Sequence, residues 1–258
     1  MTGKPTQPDR SSPPAHYHAA RRDWPAYFDA MRGTPARETL VRALDLFDLD
    51  FKAGKVWGEE PIKKLAIDLA AGEGRDVREL LKRGWSVIAI DNADEALSRI
   101  EQRTDISETE RARLSLVKQS FEELVAAGLG AIVPSGRKPM LINASFALPF
   151  CPHEHFEELW KQIVQTLPTG GRFAGQFFGD RDDWATSGRG GHHRFSGSSP
   201  PTAADKPSPG TTHVSRARLI ELVEPMVIEY LSEEDRESAD RTHAPKHWHL
   251  FHVVLRKR

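Results

Sequence analysis

Short apolar runs alternate with amphipathic stretches along most of this chain. The run Leu65-Ala66-Ile67-Asp68-Leu69 gives way to Ala70-Ala71-Gly72-Glu73-Gly74, after which Val77, Leu80 and Leu81 recur at helical spacing. A short apolar run closed by a glycine turn predicts a strand buried on both faces, so the unit is a strand over 63–69, a turn and a helix over 74–83. The pattern repeats as strand 85–91 with helix 93–103, strand 114–119 with a short helix near 121–127, and strand 139–144 with helix 153–167. Pro168-Thr169-Gly170-Gly171 stops that last helix ahead of a strand from Arg172 to Phe178. Alternation of this kind predicts a parallel sheet with crossover helices.

The two ends depart from the repeat. Trp24, Tyr27, Phe28 and Met31, then Leu40, Leu44 and Phe47, stand at helical intervals, so one or two helices over about 17–51 precede the first strand. A helix over 215–223 is followed by strands Met226–Leu231 and His247–Leu255 with no crossover helix between them. Residues 1–15, rich in proline and polar residues, read as a disordered tail. The stretch 180–212, with its glycines and prolines, reads as a lid or a flexible loop inside a single domain over 16–258.

The turn after the first strand carries the chemistry. Gly72 and Gly74 allow positive φ and close approach of the backbone to a ligand, and the helix that follows offers unpaired N–H groups. Asp91, ending the second strand, stands where an acid accepts ribose hydroxyls in such units. A dinucleotide fingerprint asks for a small residue three positions after Gly74, and Val77 stands there, which disfavours NAD.

Bulk properties narrow the function classes. With 258 residues and a net charge of −1, the chain suits one α/β domain and lacks a global basic field for nucleic acid, leaving a small molecule as the expected partner. The single cysteine, Cys151, excludes an intrachain disulfide and reads as a packed loop residue. No apolar run reaches membrane-spanning length and residues 1–22 lack a signal-peptide core, so a cytoplasmic location is expected. The pairs His153/His155, His192/His193 and His247/His249 invite a metal, but no cysteine or carboxylate falls at a recognised ligand spacing, and no metal is expected.

The order acid, small residue, Gly-x-Gly, second acid resembles the class I S-adenosylmethionine-dependent methyltransferases, with Ala70 standing where family members usually carry glycine. Over Trp24 to Lys257 further segments resemble the subgroup related to tellurite-resistance and thiopurine methyltransferases. They are Gly74-Arg75-Asp76, Leu80 to Val87, Leu141 to Phe150 and Pro168 to Phe173, together with Lys246-His247-Trp248-His249, which is similar to a signature of bacterial members. The resemblance implies a Rossmann-like seven-stranded, mostly parallel α/β sheet with helices on both faces and an antiparallel last strand.

It also implies S-adenosyl-L-methionine as cofactor. Carried over by position, Asp68, Ala70, Ala71, Gly72 and Gly74 would cradle it, Asp91 would take its ribose, and Asn92, Ser120 and Phe121 would face its adenine. Asn143 and Ala144 would lie near the reactive methyl, Arg37 would pair with the carboxylate, and Trp24 and Tyr27 would close over the sulfonium. Phe146, His153, Trp184 and His192 are the candidates for substrate contact. The expected reaction moves a methyl group to a small-molecule N, O or S nucleophile. Alternatives are an RNA or protein acceptor met by Arg189, His192, His193, Arg194 and Lys206, and a metal-assisted or non-catalytic binder of the cofactor.

Overall fold

Helices α1 (Trp24–Met31) and α2 (Glu38–Lys52) precede β1 (Leu65–Leu69), and the chain then alternates through α3 (Arg75–Lys82), β2 (Ser86–Asp91), α4 (Asp94–Glu101), the helical turn α5 (Glu108–Arg111) and β3 (Leu114–Lys118). It continues with α6 (Phe121–Ala127), β4 (Leu141–Ala144), α7 (His153–Thr166) and β5 (Arg172–Gly179). The turn α8 (Asp183–Thr186), β6 (His213–Val214), α9 (Arg216–Val223), β7 (Met226–Glu237) and β8 (His247–Lys257) complete it. These elements come from a computed structural model that describes residues 23–55, 64–186, 211–238 and 246–258. The expected tail and most of the expected lid, His192 included, lie outside the described residues.

The strands form one sheet in the order β3-β2-β1-β4-β5-β8-β7, with β6 beside β5. β1 pairs in parallel with β2 and β4, while β8 runs antiparallel between β5 and β7. The mostly parallel sheet and the antiparallel last strand match the sequence expectation, and the strand count needs correction from seven to eight. The extra strand pairs only His213 and Val214 with Phe178 and Gly179. It is held in place by Thr212, whose N–H donates to Pro149 O at 2.8 Å and whose hydroxyl donates to Cys151 O at 2.9 Å. Two residues carry no periodicity, so no pattern announces them. β7 also runs past Leu231 to Glu237.

Alternation along β1 divides the core into two layers. Leu65, Ile67 and Leu69 pack with Phe156, Leu159, Trp160 and Ile163 of α7, whereas Ala66 packs with Leu40, Leu44 and Phe47 of α2 and Val77, Leu80 and Leu81 of α3. Every residue of β1 is buried, as a strand covered by helices on both faces requires. Arg172 of β5 sits 2% exposed, paired with Asp50 at 2.7 Å and Glu229 at 2.6 Å, its guanidinium 4.4 Å from the centre of the Phe47 ring. That network joins α2 to the β5 and β7 region of the sheet.

Gly74, which caps α3 at φ +81°, is demanded by packing. A Cβ there would lie 2.7 Å from Ile100 Cγ1 of α4. Gly84 has the same sign of φ, +82°, but nothing within 4 Å of a Cβ. Gly84→Ala should therefore cost about 1 kcal/mol of left-handed backbone strain, and Gly74→Ala about 1–3 kcal/mol more through overpacking. Urea unfolding of both variants separates the terms, and equal losses would remove the packing argument.

Candidate functional site

The carboxyl ends of β1 and β2 open into a cavity of about 510 Å³ whose wall continues into the segment after β4. β1 and β4 are adjacent, and the sheet order runs outward from them in opposite directions, the switch point at which open α/β sheets take ligands. Ala70 leaves β1 at φ +51°, and Gly72 follows at φ +56°. The turn is pinned to β2: Ala71 N–H donates to Ile90 O, and Gly72 N–H donates to Asp91 Oδ2, each at 2.9 Å. A Cβ on Gly72 would meet the Phe28 ring of α1 at 3.2 Å, so glycine lets α1 lie close over the turn. Alanine at 70 holds a conformation that favours glycine, which stores strain at the mouth of the site.

Asp68, Asp91 and Arg37 set the electrostatics. Asp91 is 8% exposed; its Oδ1 accepts Ala93 N–H at 2.9 Å, so it both braces the turn and starts α4. Burial pushes its carboxyl above the usual range, against the pull of the N–H groups it accepts. Asp68 is 2% exposed, its Oδ1 accepting the Asn143 amide at 2.7 Å while its buried Oδ2 has no hydrogen-bond partner. Burial first, and the neighbouring Asp76 second, hold Asp68 well above the usual carboxylate range. Across the cavity wall the half-buried Arg37 has a buried Nε with no partner, and burial together with the nearby Arg75 lowers its pKa. An orphaned acceptor and an orphaned cationic donor therefore share one cavity.

Of the expected site residues, Trp24, Tyr27, Arg37, Asp68, Ala70, Ala71, Gly72, Asp91, Asn92, Ser120, Phe121, Phe146 and Trp184 stand in the cavity wall. Four do not. Gly74 is buried against Ile100, and Ala144 is fully buried in the sheet. Asn143 is also fully buried, its amide donating to Asp68 Oδ1 and, at 3.0 Å, to Asp76 Oδ2, so it positions both acids from behind the cavity wall. His153 is the exposed first residue of α7.

Ser120 is in the wall, but its hydroxyl accepts Glu123 N–H at 3.3 Å in a capping box that starts α6. The residue before it, Gln119, also lines the cavity and has a buried Oε1 without a partner. An acceptor there suits an exocyclic amine of a nucleobase. A polar residue directly after β3 is the available sequence signal. Arg75, Asp76, Phe150, Phe178 and Trp248 are further wall residues that the pattern did not single out for the site.

One end of the wall is aromatic. Trp24 meets Tyr27 and Phe150 edge to face at 5.8 and 5.2 Å, Phe178 meets Trp184 at 5.3 Å, and Trp184 meets Trp248 at 5.9 Å. Phe146, at φ +54°, carries the Arg37 guanidinium 4.3 Å from its ring centre, and its N–H donates to Gln176 Oε1 at 2.8 Å. Cys151 lies beneath, fully buried, its thiol pushed up to about 12 by burial and so inert as a nucleophile. His247 and His249 of β8 do not line the cavity. His249 and Glu233 and Asp235 of β7 form a group that would suit a metal. Yet His249 Nδ1 accepts Arg181 N–H at 3.0 Å, leaving Nε2–H to donate to Glu233 at 3.0 Å, and Arg181 bridges both acids.

Two outcomes follow from the strain and the burial. Ala70→Gly should raise unfolding stability by about 0.5–1 kcal/mol, measured by urea denaturation, because it frees a left-handed residue of its Cβ. Burial raises the folded-state pKa of Asp68 above its unfolded value, so its contribution is present below the unfolded value near pH 4 and is lost as pH rises through the raised folded value. Asp68→Asn removes that loss. Plotted against pH, the stability difference between Asp68→Asn and wild type should grow upward from about pH 4 in the variant's favour; a flat difference would contradict the assignment.

No family profile matches the sequence, and no curated protein matches it. Solved structures do. TehB from Haemophilus influenzae superposes with a TM-score of 0.56 at 15% identity, over 90% of this chain and 66% of TehB. The N-methyltransferase NodS from Bradyrhizobium japonicum WM9, in complex with S-adenosyl-L-homocysteine, gives 0.56 at 16% identity over 93% of this chain and 97% of its own. The 1,6-didemethyltoxoflavin-N1-methyltransferase of Burkholderia thailandensis, with its substrate and S-adenosylhomocysteine bound, gives 0.50 at 17% identity over 98% and 92%. With these likenesses, the strand order and the antiparallel β8, the chain has the fold of the class I S-adenosylmethionine-dependent methyltransferases.

Proposed function

We propose that the protein is an S-adenosylmethionine-dependent methyltransferase acting on a small, flat acceptor. The observation that carries this reading is the pair of unpartnered groups of opposite character in one cavity, Asp68 Oδ2 and Arg37 Nε, beside the Gly72 and Asp91 turn. A free amino acid end presents an ammonium and a carboxylate, the complement of those two groups. Asp91 retains lone pairs for a diol, and Gln119 for an amine, so the residues present fit every polar part of the cofactor.

S-adenosylmethionine supplies the methyl group on a sulfonium, chemistry that belongs to the cofactor. The chain's residues orient and exclude water. Asp68, Arg37 and Asp91 would hold the cofactor's two ends, Phe28 lies against the turn, and the aromatic end would align the acceptor for in-line attack. The aromatic side chains bring no base. A ring nitrogen, thiol or soft anion that is already unprotonated near neutral pH is the nucleophile that this end suits, whereas an alcohol would need a proton acceptor. The alternative acceptors, RNA or protein, rest on Arg189, His192, His193, Arg194 and Lys206, all outside the described residues. Among the described residues no helix is long and apolar enough to cross a membrane.

Titration calorimetry with S-adenosylhomocysteine is the direct test. Wild type should bind, and Asp68→Asn and Asp91→Ala should each weaken binding by about tenfold or more while both remain folded. An absence of binding by the folded wild-type chain would overturn the reading.

A further inference from the structure

Lys246 is the one lysine among the described residues with no exposed surface, and neither the fold nor the proposed cofactor site uses it. Its Nζ lies 4.3 Å from the ring centre of Trp184 and 4.0 Å from that of Trp248, so the ammonium is held against both indoles. Both indoles stand in the cavity wall, and Lys246 does not. Asp182, also fully buried, takes the ammonium at 2.6 Å, accepts Trp184 N–H at 2.9 Å on the same oxygen, and accepts His249 N–H at 3.3 Å on the other. One carboxylate thus fixes the lysine, the helical turn that carries Trp184, and the start of β8.

A buried ion pair costs desolvation that an apolar pair of similar size avoids, so packing alone does not account for it. Its effect on the wall does. The ammonium engages the electron-rich faces of two indoles that line the acceptor end, and the Arg37 guanidinium engages the ring of Phe146 in the same wall. A cation entering this end would compete for ring faces that buried cations already engage. A neutral or anionic ring meets no such competition.

We infer that Lys246 is a specificity-determining residue, its ammonium between Trp184 and Trp248 setting the acceptor end of the cavity to take neutral or anionic flat molecules and to reject cations. The inference rests on the proposed methyltransferase reading only in calling the ligand an acceptor. Burial lowers the Lys246 pKa against the pull of Asp182, Asp183 and Glu237, with His213 of β6 also within its field. Loss of the ammonium at alkaline pH should therefore erase the preference.

The test uses the full chain saturated with S-adenosylhomocysteine and three probes whose charges do not change with pH: benzenesulfonate, benzyl alcohol and benzyltrimethylammonium. Wild type should bind the first two about tenfold more tightly than the third. Lys246→Arg should keep that ratio at every pH, wild type should lose it as pH rises, and Lys246→Met combined with Asp182→Asn should lack it throughout while still binding S-adenosylhomocysteine as wild type does. A ratio that persists in the double variant, or a wild-type preference for the cation, would overturn the inference, as would a ratio that ignores pH in wild type. The wild-type pH series needs no variant, so misfolding of the double variant leaves a decisive arm. Failure to bind S-adenosylhomocysteine counts against the methyltransferase reading, and the same probes then report the charge preference on the unliganded chain.

Discussion

Two buried carboxylates held by one amide are the constraint on which the site depends. Asp68 at the end of β1 and Asp76 in the first turn of α3 are 2% and 4% exposed, and the Asn143 amide at the end of β4 donates to both. Bringing like charges together in low dielectric is costly, and the amide answers with both of its N–H donors. The second oxygen of Asp76 accepts the backbone N–H of Arg37 at 3.0 Å, so the entry of α2 is set by the same bridge. From Arg37 the coupling continues through the Phe146 ring to Gln176, whose amide donates to Thr39 Oγ1 at 2.9 Å, back in α2. The path closes on itself. An acid, an amide, a guanidinium and a ring are each placed by the next, which is how β4, β5 and α2, behind the wall, keep the wall residues Asp68, Arg37 and Phe146 to one geometry.

The same circuit divides the cavity. On one side the wall offers polar atoms with lone pairs or protons to spare, and on the other it offers rings. Arg37 and Phe146 mark the boundary, and Phe146 pays for that place with a backbone conformation that a bulky residue seldom adopts. Strain there is consistent with function, since the hydrogen bond to Gln176 and the stacked guanidinium over-determine a position that the sequence around it would not choose unaided.

Much of this was legible in the chain. Buried strands announce themselves by short apolar runs, and β1, β2 and β5 begin and end within two residues of their expected bounds because nothing competes with burial there. The places of Asp68, Gly72 and Asp91 at a tight turn in the cavity wall were readable because such a turn constrains residue type strongly. What escaped depends on partners remote in sequence. β7 continues past the expected Leu231 through Glu233, Glu234, Asp235 and Glu237, because Arg181 and Arg216 pair with Glu233 and Asp235 and the histidines of β8 stand within hydrogen-bond reach of its acids. Gly74, expected in the cradle, packs against Ile100, which arrives from another helix, and does not line the cavity. Asn143, expected near the reactive methyl, is buried behind the wall and donates to Asp68 and Asp76.

The antiparallel direction of β8 explains why the histidine-rich segment matters. Strands that run parallel bring their carboxyl ends to the ligand, but an inserted antiparallel strand brings its beginning. Leu250 therefore pairs with Phe178, and Lys246 to His249 lie past the end of β5 at the rim of the cavity. Alternation then sorts them. Trp248 faces the aromatic end while His247 and His249 reach the acids of β7, His247 at 2.6 Å from Asp235. Gly179 is required because a Cβ there would lie 2.0 Å from His249 Nδ1. The histidine-rich segment is thus two rows of one strand, one row at an ion-paired edge and the other carrying Trp248 into the cavity wall with Lys246 behind it.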